Sequence, residues 1–248
     1  MQIANNPFPI SGLEPAQLEA ALKELNTDLG TVGLWYCYDF ALPEQWYRQS
    51  TSRKTVIRRF AKRRRLFASS GPISDLWHQQ SSHYHKMADV IQGVWQQEIY
   101  VWPMAELSDT MFFALDRMDV NALVTFTVGC PLANEFRGRF TLLLNKSSDV
   151  SRVLDKRHGI LSRLENTQQA FSYRFAKTLN PLVDYNIVNP LSVYILGLLA
   201  SGNNRPEIAQ QLRLSRRGVD YHLATLKDLL DTKSIHQLVY RATQLQLI

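Results

Sequence analysis

Cysteine is nearly missing from this chain: Cys37 and Cys130 are its only two, far apart and in no metal or redox spacing. Neither a disulfide framework nor a zinc module is indicated. Long apolar runs are missing too. The longest, 193–200, falls well short of the roughly 20 residues a membrane-spanning helix requires. The opening MQIANNPFPISG lacks the basic-then-apolar layout of a secretion signal. A cytoplasmic protein without membrane contact is expected. Catalytic signatures are absent as well, with no G-x-S-x-G, no phosphate-cradling glycine loop and no H-E-x-x-H. The chain reads as a non-enzyme that holds no cofactor and no metal. His78, His83 and His85 near Asp75 match no standard metal spacing.

Acidic residues are missing from 45–74, where Arg48, Arg53, Lys54, Arg58, Arg59, Lys62, Arg63, Arg64 and Arg65 stand unopposed. The net charge of +6 is therefore one local feature, because the rest of the chain holds 19 basic against 22 acidic residues. Overall basicity alone is then a poor argument for nucleic-acid binding. The cluster at 58–65 reads as the solvated face of an amphipathic helix. An anionic-ligand site, a contact with the DNA backbone and an acidic partner are the sharper alternatives.

What is present suits a folded chain: 45% of 248 residues are apolar, enough for one large domain or two ordinary ones. Helical spacing predicts helices over 13–28, 53–68, 83–95 and 148–179. Short β-rich runs between turn formers predict strands at 33–40, 98–102, 110–115, 122–128 and 139–144. The fold class expected is α+β, an N-terminal α-β-α sandwich on an antiparallel sheet. Pro181 and Pro190 place a linker at 180–189, between a sensor-like domain at 1–179 and a second domain at 190–248.

The last sixty residues parse into four short helices. Val193, Leu196, Leu199 and Ala200 mark the core face of the first, and Gly202 ends it. Asn204 and Glu207 have the spacing of a capping box, so the second starts near Arg205, with Ile208, Ala209 and Leu212 inward. Ser215 caps a third helix from Arg216 that carries Val219, His222, Leu223, Leu226 and Leu230. A fourth carries Ile235, Leu238, Val239, Ala242 and Leu245. A small alanine where two helices cross and a basic start to the second make a helix-turn-helix.

Leu198, Leu199, Ala200, Gly202, Glu207, Ile208, Ala209, Leu212, Leu214, Ser215, Val219, His222 and Leu223 stand in the order and spacing of the DNA-binding domain of LuxR-type transcriptional regulators, which this segment resembles. Departures lie at Leu191, Ser192 and Tyr194, where the family has an acidic pair, at Gly218 for threonine, and at Asp220 for lysine. The resemblance implies a four-helix DNA-binding domain, double-stranded DNA with a palindromic promoter site, a homodimer, and RNA polymerase as a partner. DNA contacts are expected from Arg205, Arg213, Ser215, Arg216, Arg217, Val219, Asp220, Tyr221, His222, Thr225 and Lys227. Residues 189–248 hold seven basic and four acidic side chains, so one copy should bind weakly and depend on salt. Pairing is expected through Leu154, Leu161, Leu164 and Phe171 together with the fourth helix.

In quorum-sensing members of that family the N-terminal domain binds an acylated homoserine lactone. The segment 43–46 (PEQW) and the residues Pro131, Leu132, Gly138, Phe140 and Leu142 resemble its motifs. The aspartate that holds the lactone amide would fall near Arg59 and Phe60, so that acceptor is replaced by a cation. Tyr36, Tyr38, Trp46, Arg59 and Trp77 are the candidate ligand residues. The aromatics also read as plain core. No adjacent acidic pair precedes Asp39, as a phosphorylated receiver domain would require. The expected function is a DNA-binding regulator independent of lactone. Its alternatives are a small-signal-responsive regulator, and an interaction protein that titrates another regulator.

Overall fold

A computed structural model describes residues 13–46, 65–80 and 88–248. Helix α1 (Leu13–Leu29) forms where Leu18, Leu22 and Leu25 recur at helical spacing, and those three are buried. Strand β1 (Gly33–Phe40) is buried at all eight positions. Its even residues Leu34, Tyr36, Tyr38 and Phe40 join one core, and Trp35 and Cys37 join another. That alternation is the period-two geometry of a strand covered on both faces.

The remaining strands are β2 (Phe67–Ala68), β3 (Ile99–Val101), β4 (Ala122–Gly129) and β5 (Phe136–Leu144). They build one five-stranded sheet in the order β2-β1-β5-β4-β3, antiparallel at every pairing. Helices α2 (Gly71–Gln80), α3 (Ala88–Gln96) and α4 (Asp109–Asp116) cover the face bearing Trp35. The other face lies under α1, α5 (Asp149–Asp155) and α6 (Arg157–Phe175). The α-β-α sandwich expected from sequence is the architecture observed.

Three local expectations differ. Residues 110–115 are the body of α4 and not a strand, because Ser108 caps the helix at the Met111 amide and only Met111 and Leu115, one turn apart, face inward. The helix expected over 53–68 lies mostly outside the described residues, and its last two positions are β2, paired with Trp35 and Tyr36. Leu164 and Phe171 are buried in the chain's own core, so the stripe with Leu154 and Leu161 is not an open dimer seam.

Gly138 of β5 marks a close approach. A Cβ there would lie 1.8 Å from Gln168 Oε1 and 3.2 Å from the Tyr36 ring. Gln168 cannot easily withdraw, since it is fully buried, accepts from Tyr36 Oη at 2.9 Å and donates to Ser172 Oγ at 2.8 Å. Gly138→Ala should therefore lower unfolding stability by about 1–3 kcal/mol, read as a lower urea midpoint at unchanged slope.

The segment 180–189 is packed rather than loose. It holds the short helix α7 (Pro181–Asp184), and Leu182, Tyr185 and Val188 are buried. Asp184 sits 3.6 Å from Arg65 Nη1. Burial pushes its carboxyl up to about 6, outweighing the opposing pull of Arg65. A carboxyl raised in the folded state favours folding most when protonated in both states, so its contribution is full below about pH 4 and is lost as pH rises through 6. Relative to Asp184→Asn, the wild-type chain should lose up to about 3 kcal/mol of stability between pH 4 and 7, measured by denaturant melts at each pH.

Helices α8 (Pro190–Ala200), α9 (Arg205–Gln211), α10 (Arg216–Leu229) and α11 (Ile235–Gln244) complete the chain. Among the described residues, five other than glycine adopt left-handed backbone, each just beyond a helix end: Asp119, Asn186, Arg213, Asp231 and Gln246. Among the described residues no helix is long and apolar enough to cross a membrane.

Candidate nucleic-acid interface

The capping box expected at α9 is present: Glu207 N–H donates to Asn204 Oδ1 at 3.0 Å, and Asn204 N–H donates to Glu207 Oε2 at 2.8 Å. Ile208 and Ala209 are buried beneath it, and Leu212 is half-buried. The turn closes as Leu214 N–H donates to Ala209 O at 2.9 Å, with Arg213 left-handed between them. Ser215 Oγ then accepts from Gly218 N–H at 3.0 Å and starts α10. Gly202, at φ 98°, ends α8. The core face of α8 differs in detail, since Ser192, Ile195 and Leu196 are its buried residues while Ala200 is exposed.

Helix α10 is two-faced. Val219, Leu223, Leu226 and Leu230 are buried inward. Arg217, Asp220, Tyr221, Ala224 and Asp228 recur at helical spacing on the outer face, and all are exposed. Tyr221 stands 68% exposed, its ring edge-on to His222 at 5.8 Å between centroids. Arg205, Arg213, Ser215 and Arg216 are exposed around the start of that face, Thr225 lies further along it, and Lys227 is half-buried beside it. Thr225 Oγ1 donates back to Tyr221 O at 2.9 Å.

Two residues expected at the DNA have other positions. Val219 is fully buried and seats α10 on its neighbours. His222 turns toward α8, its Nδ1 2.8 Å from Ser192 Oγ, and burial lowers its pKa. A neutral imidazole bonded to the buried Ser192 fixes the angle between two helices and adds no cation to the surface. The sequence alone also missed an ion pair across the motif: Arg205 Nη1 lies 3.1 Å from Asp220 Oδ1. Arg205 heads α9 and Asp220 stands on α10, so the carboxylate is partly neutralised where the family's lysine would be.

The candidate ligand residues divide between the two faces of the sheet, Tyr36, Tyr38 and Trp46 with one core and Trp77 with the other. Tyr36 and Tyr38 belong to the sheet face under α1 and α6, where burial raises both phenol pKa values. Trp77 is on the opposite face, packed on Trp35 at 5.7 Å between ring centroids. Trp102 adds to that pair at 6.0 Å from Trp35, and its indole N–H donates to Thr125 Oγ1 at 2.7 Å. Trp46 packs on Phe40 at 5.5 Å. Arg59, like His83 and His85, lies outside the described residues.

An open cleft of about 950 Å³ lies past one end of the sheet, lined among others by Trp95, Glu98, Thr127, Glu135, Arg137 and Arg139. Beneath it Arg139 is buried, with Nη1 3.4 Å from Asp39 Oδ2 and Nη2 donating to Phe40 O at 3.0 Å. Asp39 in turn accepts from Tyr185 Oη. A signal existed for this pair, since Asp39 and Arg139 are charged positions inside the apolar strands GLWYCYDF and FRGRFTLLL.

A two-faced recognition helix set across a capped partner defines a DNA-binding helix-turn-helix domain. Residues 193–242 match the family described as bacterial regulatory proteins, luxR family, so this domain is of the LuxR type. No curated protein sequence matches the chain. Among solved structures it is similar to Escherichia coli SdiA, at 14% identity and a TM-score of 0.48, covering 94% of this chain and 92% of that one. It is also similar to SdiA in complex with octanoyl-rac-glycerol, at 15% identity and a TM-score of 0.41, covering 93% and 88%.

Proposed function

We propose that the protein is a cytoplasmic, sequence-specific transcriptional regulator that binds a palindromic promoter site as a homodimer, acts with RNA polymerase, and needs no acyl-homoserine lactone. The observation that carries this reading is the outer face of α10, open to solvent on a fully capped helix-turn-helix. Arg216, Arg217, Asp220 and Tyr221 are the proposed base readers. Arg205, Arg213, Ser215, Thr225 and Lys227 are proposed to hold the backbone, with Val219 and His222 in support. A surface of only modest positive charge favours two copies, which double the phosphate contacts without changing either. Independence from lactone is supported by the packing of Trp35, Trp77 and Trp102 against the sheet. It is supported further by the basic stretch where the family places its aspartate.

The test is selection of bound DNA from a random pool by the purified protein, followed by gel retardation with no lactone added. Retardation of the selected site as two copies per duplex, weakening steeply with salt, is expected. Absence of retardation even at low salt would make the chain an interaction protein instead. A rise of several degrees in melting temperature with one member of a lactone panel would overturn independence, since a ligand that binds the native state must stabilise it.

A further inference from the structure

We infer that the segment 245–248, which follows α11, is a latch that fastens the DNA-binding domain to the sensor half and sets the orientation of the recognition helix. By sequence this segment belongs with the helix-turn-helix. Its amides close the end of α11, donating to Arg241 O, Thr243 O and Ala242 O, but its other polar partners lie in the sensor half. Asn180 Nδ2 donates to Leu245 O at 2.7 Å. Tyr38 Oη, from the middle of the sheet, lies 3.5 Å from Gln246 Oε1, and Gln246 Nε2 lies 3.5 Å from Cys130 Sγ. One turn earlier, Arg241 Nη2 is 2.6 Å from Glu135 Oε1. Leu245, Gln246 and Leu247 are all buried.

The polar contacts continue inward. Cys130 Sγ also receives Tyr38 Oη at 2.9 Å and the Leu132 amide at 3.4 Å, and Ser172 Oγ lies 3.5 Å away. Burial works to raise the thiol pKa, but the hydrogen bonds from Ser172, Tyr38, Gln246 and Leu132 outweigh it. Ser172 is bonded to Gln168, which is bonded to Tyr36. A continuous buried network therefore runs from β1 and α6 to Gln246. Gln246 also holds left-handed backbone at φ 58°, a conformation that costs an L residue free energy and that directs its side chain into this network. Networks of this kind hold one arrangement only while every member is satisfied.

The closed latch leaves Arg217 and Tyr221 exposed, so it does not cover the DNA surface. It fixes where that surface points. Cys130, which holds Gln246, and Glu135, which holds Arg241 one turn earlier, also line the cleft at the end of the sheet. The latch is thus built where residues that line the sensor's open cleft also touch the DNA-binding domain.

The experiment uses nuclear relaxation on the full chain without DNA, comparing amides of α10 with those of β4 and β5. In the wild type both sets should report a single correlation time. In Glu135→Ala/Gln246→Ala the α10 amides should become roughly twofold faster. Protection of the Leu245 and Leu247 amides from exchange should also fall at least about tenfold. Two correlation times in the wild type, or one in the double variant with its exchange protection intact, would overturn the latch. If the double variant does not fold, the wild-type measurement alone decides. Because no DNA enters the measurement, a chain that bound no DNA would leave this result standing.

Discussion

Arg139→Met should lower the stability of the folded chain by about 3–5 kcal/mol, the largest effect expected of any single change outside the DNA surface. The reason lies in what is left behind. Arg139 and Asp39 are both 1% exposed, and the guanidinium neutralises the carboxylate while bonding Phe40 O at 3.0 Å and Val94 O at 3.3 Å. Methionine would fill most of the volume but remove the cation that neutralises the buried Asp39 carboxylate, which Tyr185 Oη still bonds. The double variant Asp39→Asn/Arg139→Met should recover much of the loss, because breaking a buried pair costs more than replacing both partners. Urea melts of the four proteins form a double-mutant cycle, and strict additivity would show that the pair is not coupled.

Arg217→Ala should weaken binding to the selected DNA site by about 1–3 kcal/mol, roughly 5- to 150-fold, if its guanidinium reads a guanine edge. Arg217 stands in the first turn of α10 on the exposed face, in line with Asp220, Tyr221 and Ala224, and forms no ion pair among the described residues. It is therefore the arginine best placed to enter a groove without first breaking a contact. Arg205 must leave or share Asp220, so its loss should cost less. Titrations on the selected site and on random duplex separate the roles. Equal loss on both would make Arg217 a phosphate contact.

The helix-turn-helix was legible because its signals are local. The pair Asn204 and Glu207 and the cap at Ser215 each act within a few residues, and both form as expected. Strand β1 was legible for a related reason, since a short aromatic run bounded by Gly33 and Pro43 suits a strand buried on both sides. Residues 110–115 were not, because Thr110, Phe112 and Phe113 suit strands. A serine such as Ser108 suits turns as well as helix caps, and Phe112 and Phe113 are exposed, which hides the one-turn spacing of Met111 and Leu115. The contacts of Gln246 were illegible altogether. They join residues 208 and 116 positions apart in the chain, and a polar pair across such a distance leaves no periodic trace. The same holds for Arg205 and Asp220, whose pairing depends on how two helices cross.

The left-handed residues beyond the helix ends bear on how this protein could be hardened against heat. Glycine at such a position relieves a steric penalty and commonly adds about 0.5–1 kcal/mol. At Asn186 and Asp231 that gain should come without loss elsewhere, since neither lies on the recognition face nor in the latch. Arg213 and Gln246 are different. Glycine at the first would remove a cation from the proposed DNA surface, and at the second it would remove the side chain that fastens the proposed latch. If those proposals hold, thermal stability and regulation compete directly at these two helix ends.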